Sequence, residues 1–179
     1  MVSIRTLSRP YAKAAYEVAK KEKKIDHWVK FFQFISKLTK VNRLQHIIRN
    51  ETIASEKIVS FFSSFCKKQD ISERQLNFLK LLIYRKRLIL ISQITVLFQE
   101  TMDDDRNILN VNLYVAYMID KKQSSDIVKF LSKRWNKSIV LNCIVQPELL
   151  GGFIASARNR ILDASVKTQC KQLKLALDN

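Results

Sequence analysis

The chain is nearly devoid of glycine. Its two glycines stand side by side at Gly151-Gly152, and the rest of the 179 residues has none, where ordinary usage is about 7%. Elsewhere the backbone therefore has little unstrained access to positive φ, and several kinds of site fall away. A phosphate-cradling P-loop and a dinucleotide fingerprint need glycines several residues apart. A hydrolase nucleophile elbow needs two glycines flanking a serine. The chain carries none of these patterns. Histidine is as scarce, with only His27 and His46. Each is isolated in a helical pattern with no second ligand three or four residues away, which reads as a surface or partly buried side chain rather than a catalytic one. Three cysteines, Cys66, Cys143 and Cys170, share no metal-like spacing. Each sits among apolar neighbours at a core-like position, which fits a reducing compartment. No apolar run approaches the ~18 residues of a membrane span, and the N-terminus lacks the apolar stretch of a secretory signal. Residues 1–16 are acid-free and carry Arg5 and Arg9, faintly like a transit peptide, but the first helical pattern begins almost at once.

What the chain does have is positive charge and enough apolar residues for a core. Hydrophobic residues make up 47% and the net charge is +16. Residues 1–105 carry 20 basic and 11 acidic side chains, and residues 106–179 carry 12 and 5, so no tail or block concentrates the charge. Two readings stand. One is an anionic partner, nucleic acid or membrane. The other is a lysine-rich solvated surface, which is preferred because Lys (21), Ile (19) and Asn (10) are amino acids with A/T-rich codons. The aromatic residues fall mostly on apolar stripes rather than among the basic ones, against the interleaving that nucleic-acid binding uses. Arg85-Lys86-Arg87 is the best local candidate for such binding, and a solvated turn between two helices is the preferred reading of it.

The first half is helical by period. Pro10 suits a first helical turn with Ser8 or Arg9 as cap, and Tyr11, Ala14, Ala15, Val18 and Ala19 then make one stripe. Asp26 is expected to cap a second helix with Trp28, Phe31, Phe32, Ile35 and Leu38 on one face. A short third covers Val41–Ile48, and a fourth starts at Ser55 with Ile58, Phe61, Phe62 and Phe65. Ser72 and Gln75 form a capping box for a fifth over Glu73–Tyr84, whose apolar residues wrap most of the cylinder and place it centrally. A sixth runs from about Leu88 to Met102. Asp103-Asp104-Asp105-Arg106-Asn107 then reads as a helix end plus linker rather than a metal site, because adjacent carboxylates on extended chain point apart.

Past that point the period changes to two. Leu109, Val111, Leu113 and Val115 alternate with polar residues, as do Ile139, Leu141, Cys143 and Val145. Ser124 or Ser125 is expected to cap a helix through Trp135 between these strands. After Gly151-Gly152 come a strand at Phe153–Ala157, a turn near Arg158-Asn159 and a strand at Arg160–Asp163. Asp163 or Ser165 caps a last helix with Val166, Cys170, Leu173 and Leu177 on one face. The fold class is mainly α, a helical bundle over residues 1–105 followed by a small α+β domain over 106–179. No nucleophile–base arrangement stands out, so no enzyme, cofactor or metal is expected.

Two blocks carry a resemblance that spans essentially the whole chain. Arg9-Pro10-Tyr11-Ala12-Lys13-Ala14-Ala15-Tyr16, with Trp28 after it, is similar to the opening helices of the δ subunit of bacterial F-type ATP synthases, whose mitochondrial counterpart is the oligomycin-sensitivity-conferring protein. Leu141-Asn142-Cys143, Gly151-Gly152, Ile154, Arg160, Asp163, Ser165-Val166 and Leu173 match its C-terminal part in order and spacing. The resemblance implies a non-catalytic stator subunit without cofactor, peripheral on the cytoplasmic side of the bacterial inner membrane and not inserted in it. It implies a six-helix N-terminal bundle that binds the N-terminal segment of an α subunit in a groove between the first helix and the helix over Glu73–Tyr84. The groove residues expected on that basis are Tyr11, Ala14, Ala15, Val18, Leu76, Leu79 and Ile83. It implies that the C-terminal domain meets a b-type peripheral stalk subunit, with Gly151, Gly152, Asp163 and Ser165 as its structural motif. The chain departs from the family in bearing Lys86, Arg158, Ala164 and Thr168 where glycine is common, and Asn159 is expected to supply the left-handed turn instead. The competing reading is a basic helical RNA-binding module.

Overall fold

The structure is a computed structural model that describes residues 3–41, 44–45, 48, 53–66, 71–158 and 160–177, with the side chains of Cys66, Ala176 and Leu177 outside the description. The chain is mainly helical, with a small C-terminal sheet, and divides into two compact units, Met1–Met102 and Asp103–Asn179.

The N-terminal unit contains α1 (Ile4–Lys21), α2 (Ile25–Thr39), α3 (Ser55–Cys66), α4 (Glu73–Tyr84), a 3-10 turn at Leu88–Leu90 and all but the end of α5 (Ile91–Asp105), whose residues 103–105 belong to the C-terminal unit. Leu44, Gln45 and Ile48 are helical, and the middle of the expected third helix lies outside the described residues. Helix α1 begins earlier than Pro10 implied. Ser3 is its cap, accepting from the Thr6 amide at 3.2 Å, and Pro10 falls inside the helix. A capping hydroxyl is available at Ser3, and the stripe extends back through Ser8, which is fully buried and donates its hydroxyl to the Ile4 carbonyl at 2.8 Å. That burial outweighs the ladder bond a mid-helix proline lacks. The buried face of α1 is therefore Ser8, Ala12, Ala15, Tyr16 and Ala19, rotated so that Tyr11, Ala14 and Val18 lie at its edge.

Helix α2 keeps its expected face, with Trp28, Phe31, Phe32 and Ile35 buried. Asp26 does not cap it. Lys24 occupies the cap position without a side-chain bond, and Asp26 sits in the first turn, where a carboxylate favours the positive end of the helix dipole. Helix α4 has both capping-box bonds, Gln75 N to Ser72 Oγ at 3.4 Å and Ser72 N to Gln75 Oε1 at 2.9 Å. Its burial is one-sided rather than central. Leu79, Leu82 and Ile83 are in the core, while Leu81 and Tyr84 are 47% and 56% exposed. Trp28 packs edge-on against Phe31 and Phe78, and Phe32 lies 4.9 Å from Phe98 between ring centroids, so aromatic rings from α2, α4 and α5 knit the bundle together.

The C-terminal unit contains β1 (Ile108–Val115), α6 (Lys121–Trp135), β2 (Ser138–Val145), β3 (Gly152–Ala157), β4 (Arg160–Ser165) and α7 (Val166–Leu177), with strand order β2-β1-β3-β4. β1 and β2 are parallel, joined through α6, and β1–β3 and β3–β4 are antiparallel. Alternation decides the inward face. Leu109, Val111, Leu113 and Val115 are buried with Leu131, Ala155 and Ala157. Asp120, not Ser124 or Ser125, caps α6, because its carboxylate accepts from Gln123 N at 2.7 Å while the Gln123 side chain returns to Asp120 N at 3.1 Å. The serines lie one turn inside. No linker follows α5, because the three aspartates continue the helix to Asp105 and the strand opens at Ile108. On the edge strand β2 the expected alternation fades: Ile139 and Leu141 are half-buried, but Cys143 and Val145 are exposed. Cys170 on α7 is exposed too, so two of the three cysteines are not core residues.

A glycine-poor chain still needs left-handed residues, and it makes them from others. Lys23, Lys86, Asn107, Asn136 and Arg158 all have φ between 51° and 56°. Asparagine tolerates this, while lysine and arginine bear a steric cost of roughly 1–2 kcal/mol. Arg158 itself takes the hairpin position expected of Asn159, which lies outside the described residues. Ala164 is an ordinary strand residue paired with Phe153, and Thr168 stands in the first turn of α7. A Lys86→Gly chain is expected to be more stable by about 1 kcal/mol, the strain relieved less the added freedom of the unfolded chain. Equilibrium urea unfolding of the N-terminal unit checks this.

Candidate functional site

The residues expected to form a partner groove divide by burial. Ala15, Leu79 and Ile83 are 1%, 1% and 3% exposed, so they build the bundle core and offer no surface. Tyr11, Val18 and Leu76 are half-buried against that core, and Ala14 is exposed. Leu7, one turn before Tyr11, extends the accessible strip and is 37% exposed. Sequence reasoning missed Leu7 because Pro10 was read as the helix start, although the four-residue step from Leu7 to Tyr11 was visible.

Two polar ties link α1 to the α4 region. The Arg74 guanidinium meets the Glu22 carboxylate at 2.9 Å, close to where Trp28 Nε1 donates to the same carboxylate at 3.5 Å. At the other end, Arg87 donates to the Tyr11 hydroxyl at 2.6 Å, with its guanidinium carbon 5.5 Å from the ring centroid. The C-terminal end of α1 thus faces the N-terminal end of α4, and Tyr11 faces the turn after it. Between the ties lie small or apolar side chains at Ala14, Val18 and Leu76. Arg87 is therefore not simply a solvated turn residue, although Arg85 and Lys86 are exposed.

The structural motif of the C-terminal unit is a tight corner. Gly152 has φ of +75°, and a Cβ placed there would stand 2.3 Å from the Ala164 carbonyl oxygen. A Cβ on Gly151 would meet Val166 Cγ2 at 3.1 Å, and the Gly151 carbonyl accepts from Val166 N at 3.1 Å. The same corner starts α7. Asp163 accepts from Ser165 N at 2.9 Å and from the Thr168 hydroxyl at 2.8 Å, and Ser165 Oγ accepts from Thr168 N at 3.3 Å. The Ser165 amide bond, with help from the Ser165 and Thr168 side chains, holds the Asp163 carboxyl below its usual range.

The three-aspartate run has a structural use. Asp103 accepts from Asn110 Nδ2 at 2.7 Å, and Asp104 lies between Lys137 and Arg158 at 2.6 and 2.5 Å. Burial pushes Asp103 up. The same effect at Asp104 is outweighed by hydrogen bonds from Lys137 and Arg158, which hold it down. These carboxylates tie the starts of β1 and β2 and the β3–β4 turn to the end of α5. Among the described residues no group of three or more His, Cys, Asp and Glu side chains is placed to hold a metal. His27 is exposed, and His46 lies outside the described residues. No helix among the described residues is long and apolar enough to cross a membrane.

Comparison with known proteins identifies the family. The profile of the ATP synthase delta (OSCP) subunit family matches residues 7–177. The ATP synthase subunit delta of Psychromonas ingrahamii is 28% identical over 179 residues, covering all of both chains, and that of Coxiella burnetii is 29% identical over 174 residues, 94% of each. Among solved structures, a chain of the Toxoplasma gondii mitochondrial ATP synthase hexamer superposes with a TM-score of 0.68 at 16% identity, covering 97% of this chain and 98% of that one. The chain belongs to the ATP synthase delta (OSCP) subunit family, a non-catalytic stator component of the F-type enzyme.

Proposed function

We propose that the chain joins the catalytic head to the peripheral stalk through its two units. The N-terminal unit, a bundle of six helices, takes the N-terminal helical segment of an α subunit on the strip between α1 and α4. The C-terminal unit meets the C-terminal end of a b-type stalk subunit. The joint holds the head still while the rotor turns, so that proton flow drives ATP synthesis. It lies peripherally on the cytoplasmic side of the bacterial inner membrane.

The observation that carries this reading is the strip itself. Ala15, Leu79 and Ile83 already fill the core, and beside it Tyr11, Val18 and Leu76 are only half-buried and Ala14 is exposed. A narrow apolar strip edged by small residues suits helix-in-groove recognition, where a partner helix approaches closely. A joint that must outlast many turnovers needs slow release. With association near ~10⁶ M⁻¹s⁻¹, release at ~10⁻³ s⁻¹ corresponds to a Kd of ~1 nM.

A labelled α N-terminal peptide titrated against the full chain tests the reading. Binding at nanomolar to sub-micromolar peptide is expected, with NMR shifts centred on Tyr11, Ala14 and Val18. Trp28 is 2% exposed and would respond only through the core. Absence of binding at micromolar peptide, together with tight and strongly salt-dependent RNA binding, would overturn it in favour of the RNA module.

A further inference from the structure

We propose that α7 is the stalk-docking helix, and that it takes one acidic amphipathic helix along the seam Val166–Cys170–Leu173. The proposal rests on the stator reading for the identity of the partner. It assigns the surface and the chemistry of recognition from α7 alone.

An apolar stripe on α7 is uncovered. Val166 is 41% exposed, Leu173 is 64% exposed, and Cys170 is exposed. The spacing is four then three, and the sequence adds Leu177 four residues on. That alternation is the two-position seam of a coiled coil, narrower than the stripe by which a helix covers a globular core. Lys167, Lys171 and Lys174 lie along one flank of the seam, and Val166–Leu177 contains no acidic residue. Lys167 and Lys174 fall directly beside seam positions, where charges choose the partner in paired helices. The complement is a helix with its own apolar seam and Asp or Glu along the facing flank.

The mooring of α7 supports this use. Its first turn is fixed to the sheet corner by Asp163, Ser165 and the Gly151 carbonyl. The remaining turns lay their side chains in solvent from Gln169 to Leu175. A lipid surface would also accept a basic amphipathic helix. The narrow seam, and the absence of any aromatic residue in α7, favour a helix over a bilayer.

The test uses the full chain and, as probe, the membrane-free C-terminal helical part of the b-type stalk subunit. Binding is read by fluorescence anisotropy. Maleimide labelling, mapped by mass spectrometry, reports Cys170 and Cys143 separately. The probe is expected to shield Cys170 and leave Cys143 reactive. Leu173→Asp should weaken binding about hundredfold, as loss of a central apolar anchor does. Lys167→Glu with Lys174→Glu should weaken it about tenfold at low salt and less at high salt. All three positions are exposed, so thermal unfolding should not move. Should the probe bind wild type and Leu173→Asp alike while Cys170 stays reactive, the seam is overturned and the stator reading stands. Should the probe fail to bind wild type at all, both fall. Shielding of Cys170 by phosphatidylglycerol vesicles and not by the probe would overturn the helix partner in favour of lipid.

Discussion

A Gly152→Ala chain is expected to lose most of the stability of its C-terminal unit while the helical bundle stays folded. The backbone at Gly152 sits at φ +75°, which costs an L-residue roughly 1–2 kcal/mol. The new methyl would also stand 2.3 Å from the Ala164 carbonyl oxygen and 3.0 Å from the Ser165 Cα. Both are backbone atoms of the paired strand β4, where Gly152 faces Ser165. Neither can swing aside as a side-chain tip could. Relief requires β3 and β4 to part at the corner that also starts α7. The combined cost is about 3 kcal/mol or more, a large share of what a domain this small possesses. Calorimetry or circular dichroism should show one melting transition falling by about 10–20 °C and the other unmoved. Gly151→Ala is the control. Its methyl would meet only a Val166 methyl group at 3.1 Å, which can shift slightly, so a loss under about 1 kcal/mol is expected. Equal melting of the two variants would show that the close approach at Gly152 is not what demands glycine.

That corner shows what was legible in the sequence. A single glycine pair in an otherwise glycine-free chain reads as a turn or a close approach of two backbones, which Gly152 makes, and of Asp163 or Ser165, the two candidate caps of the last helix, Ser165 takes that place. Alternation at Leu109–Val115 fixed the inward face of β1, and the capping box at Ser72 and Gln75 fixed the start of α4. These signals are local, and nothing elsewhere competes with them. The misplaced features depended on burial, which one sequence does not contain. Pro10 looked like a helix start because its missing amide is harmless there, yet burial of Ser8 carried the helix back to Ser3. Cys143 and Cys170 looked like core because their neighbours are apolar, but one is on an edge strand and the other on an uncovered helix. The apolar wrapping of α4 looked like a central helix, whereas Leu81 and Tyr84 remain in solvent. In the last two cases apolar residues exceed what the chain's own core uses, which is what an assembly subunit leaves for its partners.

The same distinction between core and surplus separates two adjacent alanines. Ala14→Arg is expected to abolish high-affinity binding of the α N-terminal peptide without unfolding anything. Ala14 is exposed, so the arginine side chain has solvent to occupy in the free protein and no core contact is lost. On the strip between Tyr11 and Val18, however, it would hold a partner helix off by the length of a long side chain. Helix-in-groove contacts concentrate their energy in a few close-packed positions, so a loss of at least about hundredfold in affinity follows, near 3 kcal/mol. Ala15→Arg should do the reverse. Ala15 is 1% exposed within the cluster of Tyr16, Phe32 and Phe98. A guanidinium forced there is overpacked and has no carboxylate beside it in that cluster, a combination worth several kcal/mol. The bundle itself should melt at a markedly lower temperature, and loss of peptide binding would follow from unfolding. Chemical-denaturant unfolding and peptide titration on both variants separate the two effects. If Ala14→Arg binds the peptide as wild type does, the α segment lies elsewhere on the bundle, and the accessible strip of α1 requires another occupant.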